Sequence, residues 1–114
     1  KMAQNLDELA QKARDRALAV TDIQGASFTV SNLGGLGASH FTPIVNSPEV
    51  AILGLGRGQK KPVIINDKLE HRVMMPIGLS YDHRVIDGAD GARFVAALTE
   101  NIEQFKTEWL KEKK

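Results

Sequence analysis

The chain has 114 residues, and its 15 lysines and arginines against 14 aspartates and glutamates leave a net charge of +1 with histidine neutral. That balance supplies no basic surface for nucleic acid, and 5% aromatic residues leave little for base stacking. With 42% hydrophobic and 25% charged residues, and no apolar run near the roughly 20 residues that span a bilayer, the composition predicts one globular domain with a modest core, and neither a nucleic-acid nor a membrane partner. The first residues do not read as a signal peptide. Cysteine is absent, so disulfides, thiolate metal sites and cysteine nucleophiles are excluded. Any thiol chemistry must use a thiol carried by the substrate.

The spacing of Leu6, Leu9, Ala10, Ala13 and Ala17 predicts a helix over Gln4 to Val20 with a narrow apolar stripe. Thr21, Asp22 and Gly25 break that pattern before a strand, Ser27 to Ser31. There Phe28 and Val30 alternate with the hydroxyls of Ser27, Thr29 and Ser31. Taken alone, the hydroxyl row is either a solvated sheet face or a polar lining. A glycine- and proline-bearing loop follows, Asn32 to Pro48, long enough to suggest a functional role. Val50 to Leu55 is a continuous apolar run, as expected of a strand covered on both faces.

Val63-Ile64-Ile65, the turn formers Asn66-Asp67, and Leu69 onward predict a hairpin. Its second arm is expected to run through Val73, Met74, Met75, Ile77 and Leu79, with Pro76 at an edge or bulge because it has no N–H to donate. A second helix starts near Ala89. Phe94, Leu98, Ile102, Phe105 and Trp109 form its stripe, with Asp87 and Asp90 placed to cap it. Lys106, Lys111, Lys113 and Lys114, interleaved with glutamates, read as a solvated helix end.

Neither His40 nor His71 has partners at a metal-ligand spacing, and no metal site is expected. His83 differs. Asp82 and Asp87 flank it where a strand delivers the chain into a helix, and imidazole is the side chain that titrates nearest neutral pH. From local context alone it fits a structural histidine better than a general base. Gly54-Leu55-Gly56-Arg57-Gly58 superficially suggests a phosphate loop, but it lacks the Gly-Lys-Ser/Thr that completes one and the third glycine of a dinucleotide fingerprint. It reads as a strand end and turn.

Together the segments carry a resemblance that none carries alone. His83-Arg84-Val85-Ile86-Asp87-Gly88 resembles the His-x-x-x-Asp-Gly motif of the dihydrolipoamide acyltransferases and of the chloramphenicol acetyltransferase fold. The longer Leu79 to Ala89 block is similar to the dihydrolipoamide acyltransferase version. Upstream, Phe28 to Gly34, Phe41 to Asn46 and Pro48 to Gly54 resemble further blocks of that family in the same order. The resemblance covers only the C-terminal half of the family's catalytic domain. Residues 1–114 would be that half, without a lipoyl or subunit-binding domain. The expected fold is α/β: an incomplete two-layer sandwich of mixed β-sheet with helices. The other half would supply one wall of the substrate channel and part of the coenzyme A contacts.

The resemblance implies transfer of an acyl group between a dihydrolipoyl thiol and coenzyme A, in a 2-oxoacid dehydrogenase complex of the bacterial cytoplasm or the mitochondrial matrix. It assigns His83 as general base, Ser31 as oxyanion donor, and Asp87 as a third site residue of structural character. Arg84 would be a local structural partner. The implied assembly is a homotrimer or a larger core with active sites between subunits, served by lipoyl domains and the other components of the complex. Phe41-Thr42-Pro43 and Asn32-Leu33-Gly34-Gly35 are similar to acetyl-transferring members. The same blocks are compatible with a non-catalytic assembly unit of the same fold.

Overall fold

The computed structural model describes residues 1–106. Trp109 of the second helical stripe, and Lys111, Lys113 and Lys114, lie outside the described residues. Helix α1 spans Met2–Arg14, strand β1 Thr29–Asn32, β2 Ala51–Leu55, β3 Gln59–Ile65, β4 Lys68–Met74, β5 Ile77–Tyr81, and helix α2 Gly88–Glu103. Short 3-10 turns at Val20–Asp22 and Gly34–Leu36 punctuate the connections.

Helix α1 ends six residues before the expected Val20. Its last turn closes with the Ala17 amide donating to the Lys12 carbonyl (2.8 Å) and the Arg16 amide to that of Ala13 (3.2 Å), while Arg16 adopts φ 52°. That is the Schellman arrangement, with arginine in the left-handed position that glycine usually fills. The stripe of α1 is uncovered among the described residues, where Met2 and Leu6 are exposed.

Strand β2 is the centre of the molecule. It pairs in parallel with β1 and antiparallel with β5, which satisfies both of its edges. Ala51, Ile52 and Leu53 are the buried hydrophobic residues, and Gly54 is buried with them. The expectation of a strand covered on both faces holds. Residues in register share a face. Phe28, Val30, Leu53, Leu79 and Tyr81 therefore look toward α2, where the Phe28 and Phe94 rings meet at 5.8 Å. Thr29, Ser31, Ile52, Gly54, Gly78 and Ser80 form the opposite face.

The loop after β1 lies over that second face. A Cβ on Gly54 would stand 2.9 Å from the Phe41 ring, and one on Gly78 3.3 Å from the Phe41 carbonyl oxygen. Gly56 packs with no spare room against the Ser39 carbonyl and Pro76. The glycines of the supposed phosphate loop are thus close-packing positions, already filled by neighbouring chain.

Strands β3 and β4 form a separate two-stranded hairpin. Its two-residue loop puts Asn66 (φ 50°) and Asp67 (φ 59°) in the left-handed region, as a type I′ turn requires. The hairpin's second arm does not continue to Leu79. It stops at Met74; after Met75 and Pro76, β5 leaves the ribbon and joins β2, anchored by the Gly56 amide donating to the Pro76 carbonyl at 2.9 Å. The missing proline N–H ends one ladder, and the carbonyl starts the approach to another.

Candidate functional site

His83 sits on a tight turn between β5 and α2, and almost every bond in that turn runs through Asp82. The Asp82 amide donates to the Val50 carbonyl (2.8 Å), continuing the β2–β5 ladder by one step. Its carbonyl accepts from the amides of Val85 and Ile86, both at 3.0 Å. Its Oδ1 accepts from the Arg84 amide at 3.0 Å, closing an Asx turn around His83. The Arg84 side chain then grips the same carboxylate, Nε at 2.9 and 3.1 Å and Nη2 at 2.6 Å. The guanidinium, helped by the Arg84 amide, holds the Asp82 carboxyl down at about 2, below its ordinary 3.8. In turn the carboxylate raises the pKa of Arg84. Arg84 is therefore a local structural partner, as the sequence implied.

The His83 side chain is exposed, and its ring lies beside that of Tyr81, centroids 5.9 Å apart and tilted by 34°. Tyr81 is itself wedged under α2, since a Cβ on Gly91 would meet its ring at 2.8 Å. Asp87 is the N-cap of α2. Its Oδ1 accepts from the Asp90 amide at 2.8 Å, and its carbonyl from the Gly91 amide at 3.1 Å. The carboxylate points into the helix end, consistent with a structural role.

Ser31 stands on β1, half-buried, opposite Gly54, which is in turn opposite Gly78. Across that row the sheet carries no other side chain, and the Ser31 hydroxyl makes no hydrogen bond among the described residues. Its neighbour Thr29 is committed: Oγ1 donates to Glu49 Oε2 at 2.6 Å. Of the hydroxyl row, Thr29 and Ser31 are half-buried and Ser27 is exposed.

Ser31 and His83 do not meet within one chain. Three residues of strand and two strand spacings separate the Cα atoms of Ser31 and Tyr81, about 14 Å. His83 lies two residues beyond the end of β5. Sequence reasoning named both residues but missed the roles of Asp82 and Tyr81. The Asp-x-Arg spacing around His83 was the available signal, because an aspartate two residues before a backbone amide is an Asx-turn pattern.

Comparison with known proteins decides the family. The profile of the 2-oxoacid dehydrogenases acyltransferase (catalytic domain) matches residues 1–110. The chain belongs to this family. The dihydrolipoyllysine-residue acetyltransferase component of the pyruvate dehydrogenase complex of Haemophilus influenzae is 50% identical over 97 residues, which is 85% of this chain and 17% of that protein. The dihydrolipoamide acetyltransferase of Azotobacter vinelandii superposes with a TM-score of 0.88 at 48% identity, covering 90% of this chain and 42% of that one. A structure of the cubic core of the pyruvate dehydrogenase multienzyme complex superposes at 0.87, also at 48% identity. The chain thus spans less than half of the solved cores and about a fifth of the full relatives. The mixed α/β architecture expected from the sequence is the one these cores share. Among the described residues no helix is long and apolar enough to cross a membrane.

Proposed function

We propose that residues 1–114 are the C-terminal half of an acyltransferase catalytic domain that moves an acetyl group between a dihydrolipoyl thiol and coenzyme A. One observation carries the site assignment. The Azotobacter vinelandii relative was investigated for the catalytic roles of a serine, a histidine 52 positions further on and an asparagine 4 beyond that. Ser31, His83 and Asp87 stand at the same intervals. Asp87 departs from that asparagine, but both residue types cap helices well.

The chemistry follows from the residue types. A thiol with a pKa near 8.5 is only a few per cent ionised at neutral pH, so a base that takes its proton at the moment of attack accelerates transfer. His83, exposed and without a side-chain hydrogen bond among the described residues, accepts that proton and returns it to the departing thiolate. The attack turns the thioester carbonyl into an oxyanion. The uncommitted Ser31 hydroxyl donates to it, and no protein group becomes acylated.

The separation of Ser31 and His83 within one chain supports a site made by two copies, the histidine of one facing the serine of the next. The likeness to the cubic core of the pyruvate dehydrogenase multienzyme complex supports a symmetric assembly of copies of this chain. The organisms of the relatives, Haemophilus influenzae and Pseudomonas aeruginosa, favour the bacterial cytoplasm over the mitochondrial matrix.

The test is thioester transfer by the assembled domain, with the complementary half supplied. His83→Ala should lower kcat by about 10²–10⁴ and Ser31→Ala by about 10²–10³. Near-wild-type turnover in either variant removes that residue from the mechanism. An assembled but inactive wild type would instead establish a non-catalytic assembly unit.

A further inference from the structure

The geometry points to Asp82 as the positioning residue of His83: through its grip on Arg84 it fixes the turn that presents the imidazole. The inference deepens the proposed function and rests on it. His83 makes no side-chain hydrogen bond of its own among the described residues, so the orientation of its ring depends on backbone and packing. Asp82 controls that backbone from both sides. Its amide ties the turn to β2 through Val50, and its carbonyl takes the Val85 and Ile86 amides that lead into α2. Its carboxylate reaches over His83 to the Arg84 amide and guanidinium.

The residues before and after His83 are thus locked to one another across it, and the imidazole lies beside the Tyr81 ring. An exposed ion pair adds little stability by itself, because solvent screens it and two long side chains must be ordered. Arg84 is 89% exposed in its side chain. Here the pair's consequence is geometric. Reacting groups misplaced by about 1 Å can lose on the order of 10²-fold in rate.

Three variants of the assembled domain separate the contributions. Asp82→Ala removes both the Asx turn and the ion pair, Asp82→Asn restores the acceptor for the Arg84 amide, and Arg84→Gln removes only the guanidinium grip. We expect kcat to fall about tenfold or more in Asp82→Ala, with KM for either thiol substrate within about twofold, and Asp82→Asn to recover a large part of the loss. NMR of the His83 ring supplies a readout independent of turnover. In the wild type its proton shifts carry the Tyr81 ring current; in Asp82→Ala they should move toward those of a free histidine.

If Asp82→Ala does not assemble, Arg84→Gln still decides, with an expected loss of about three- to tenfold in kcat and a smaller displacement of the same resonances. Unchanged kcat and unchanged His83 shifts in the variants that fold would overturn the inference. His83→Ala runs in parallel. Should it keep full turnover, the base assignment fails, and the ring shifts alone still report whether Asp82 orients the side chain.

Discussion

Asp82 has four hydrogen-bonding roles within one turn, and its carboxyl shows the electrostatic result. The guanidinium of Arg84 is the larger cause of its low pKa and the Arg84 amide the next. A folded-state value of about 2, below the ordinary 3.8, means that the folded turn favours the ionised carboxylate. That stabilisation is present above about pH 4 and is lost as pH falls through about 2, so the site turn should be insensitive to pH across the working range of a histidine base. Arg84→Gln should move the Asp82 midpoint upward from about 2 toward 3.8, read by NMR of its carboxyl carbon; a midpoint that stays put would show that the backbone amide does the holding. Gly91 makes a second residue-scale test. Alanine there gains about 1 kcal/mol of helix propensity, yet its Cβ would stand 2.8 Å from the Tyr81 ring. Overpacking costs about 1–3 kcal/mol, so Gly91→Ala should be destabilising in denaturant unfolding. In a Tyr81→Ala background the same change should turn stabilising.

At the scale of elements, the helix cap and the hairpin turn allow the sharpest tests. Asp87→Ala removes the acceptor for the Asp90 amide and should cost about 1 kcal/mol, whereas Asp87→Asn keeps the cap and should change stability by only a few tenths. If Asp87→Asn also keeps turnover within a few-fold, a charge at this position is not needed for the chemistry. In the type I′ turn, Asp67→Gly should stabilise the hairpin by about 0.5–1 kcal/mol by relieving a left-handed non-glycine residue. These elements were legible in the sequence: Asn66-Asp67 between apolar runs, Asp87 before a strong stripe, and the unbroken Val50 to Leu55. The misreadings have local causes. Helix α1 stops at Arg14 because Arg16 takes a conformation that no glycine announced, and β5 leaves the hairpin at Pro76 because its partner is β2, some twenty residues distant in the chain. Periodicity reports which face a residue shows, but not which strand receives it.

For the whole molecule, the shape shows that this chain does not close a core by itself. Its radius of gyration is 17.1 Å, against about 13 Å for a compact domain of this length. Leu6, Ile23, Leu36, Ile44 and Val85 remain exposed, apolar surface of a kind that chains cover by association. The site shows the same incompleteness. Of the candidate site, His83 stood out locally between two aspartates, whereas Ser31 was legible only through ordered blocks resembling a family, because no local pattern links a strand serine to a turn histidine 52 residues later. Strand register holds them apart within one chain, which is the ground for the proposed site between symmetry-related copies. Complementation tests this directly. Ser31→Ala and His83→Ala proteins, each assembled with the complementary half, should be nearly inactive alone. Dissociated, mixed in equal amounts and reassembled, they pair an intact histidine with an intact serine at roughly a quarter of the subunit interfaces if mixing is random. Activity should return to about that fraction of wild type, measured after confirming the mixed assembly by mass. No recovery from fully mixed oligomers would place both groups in one subunit's site and discard the shared-interface arrangement.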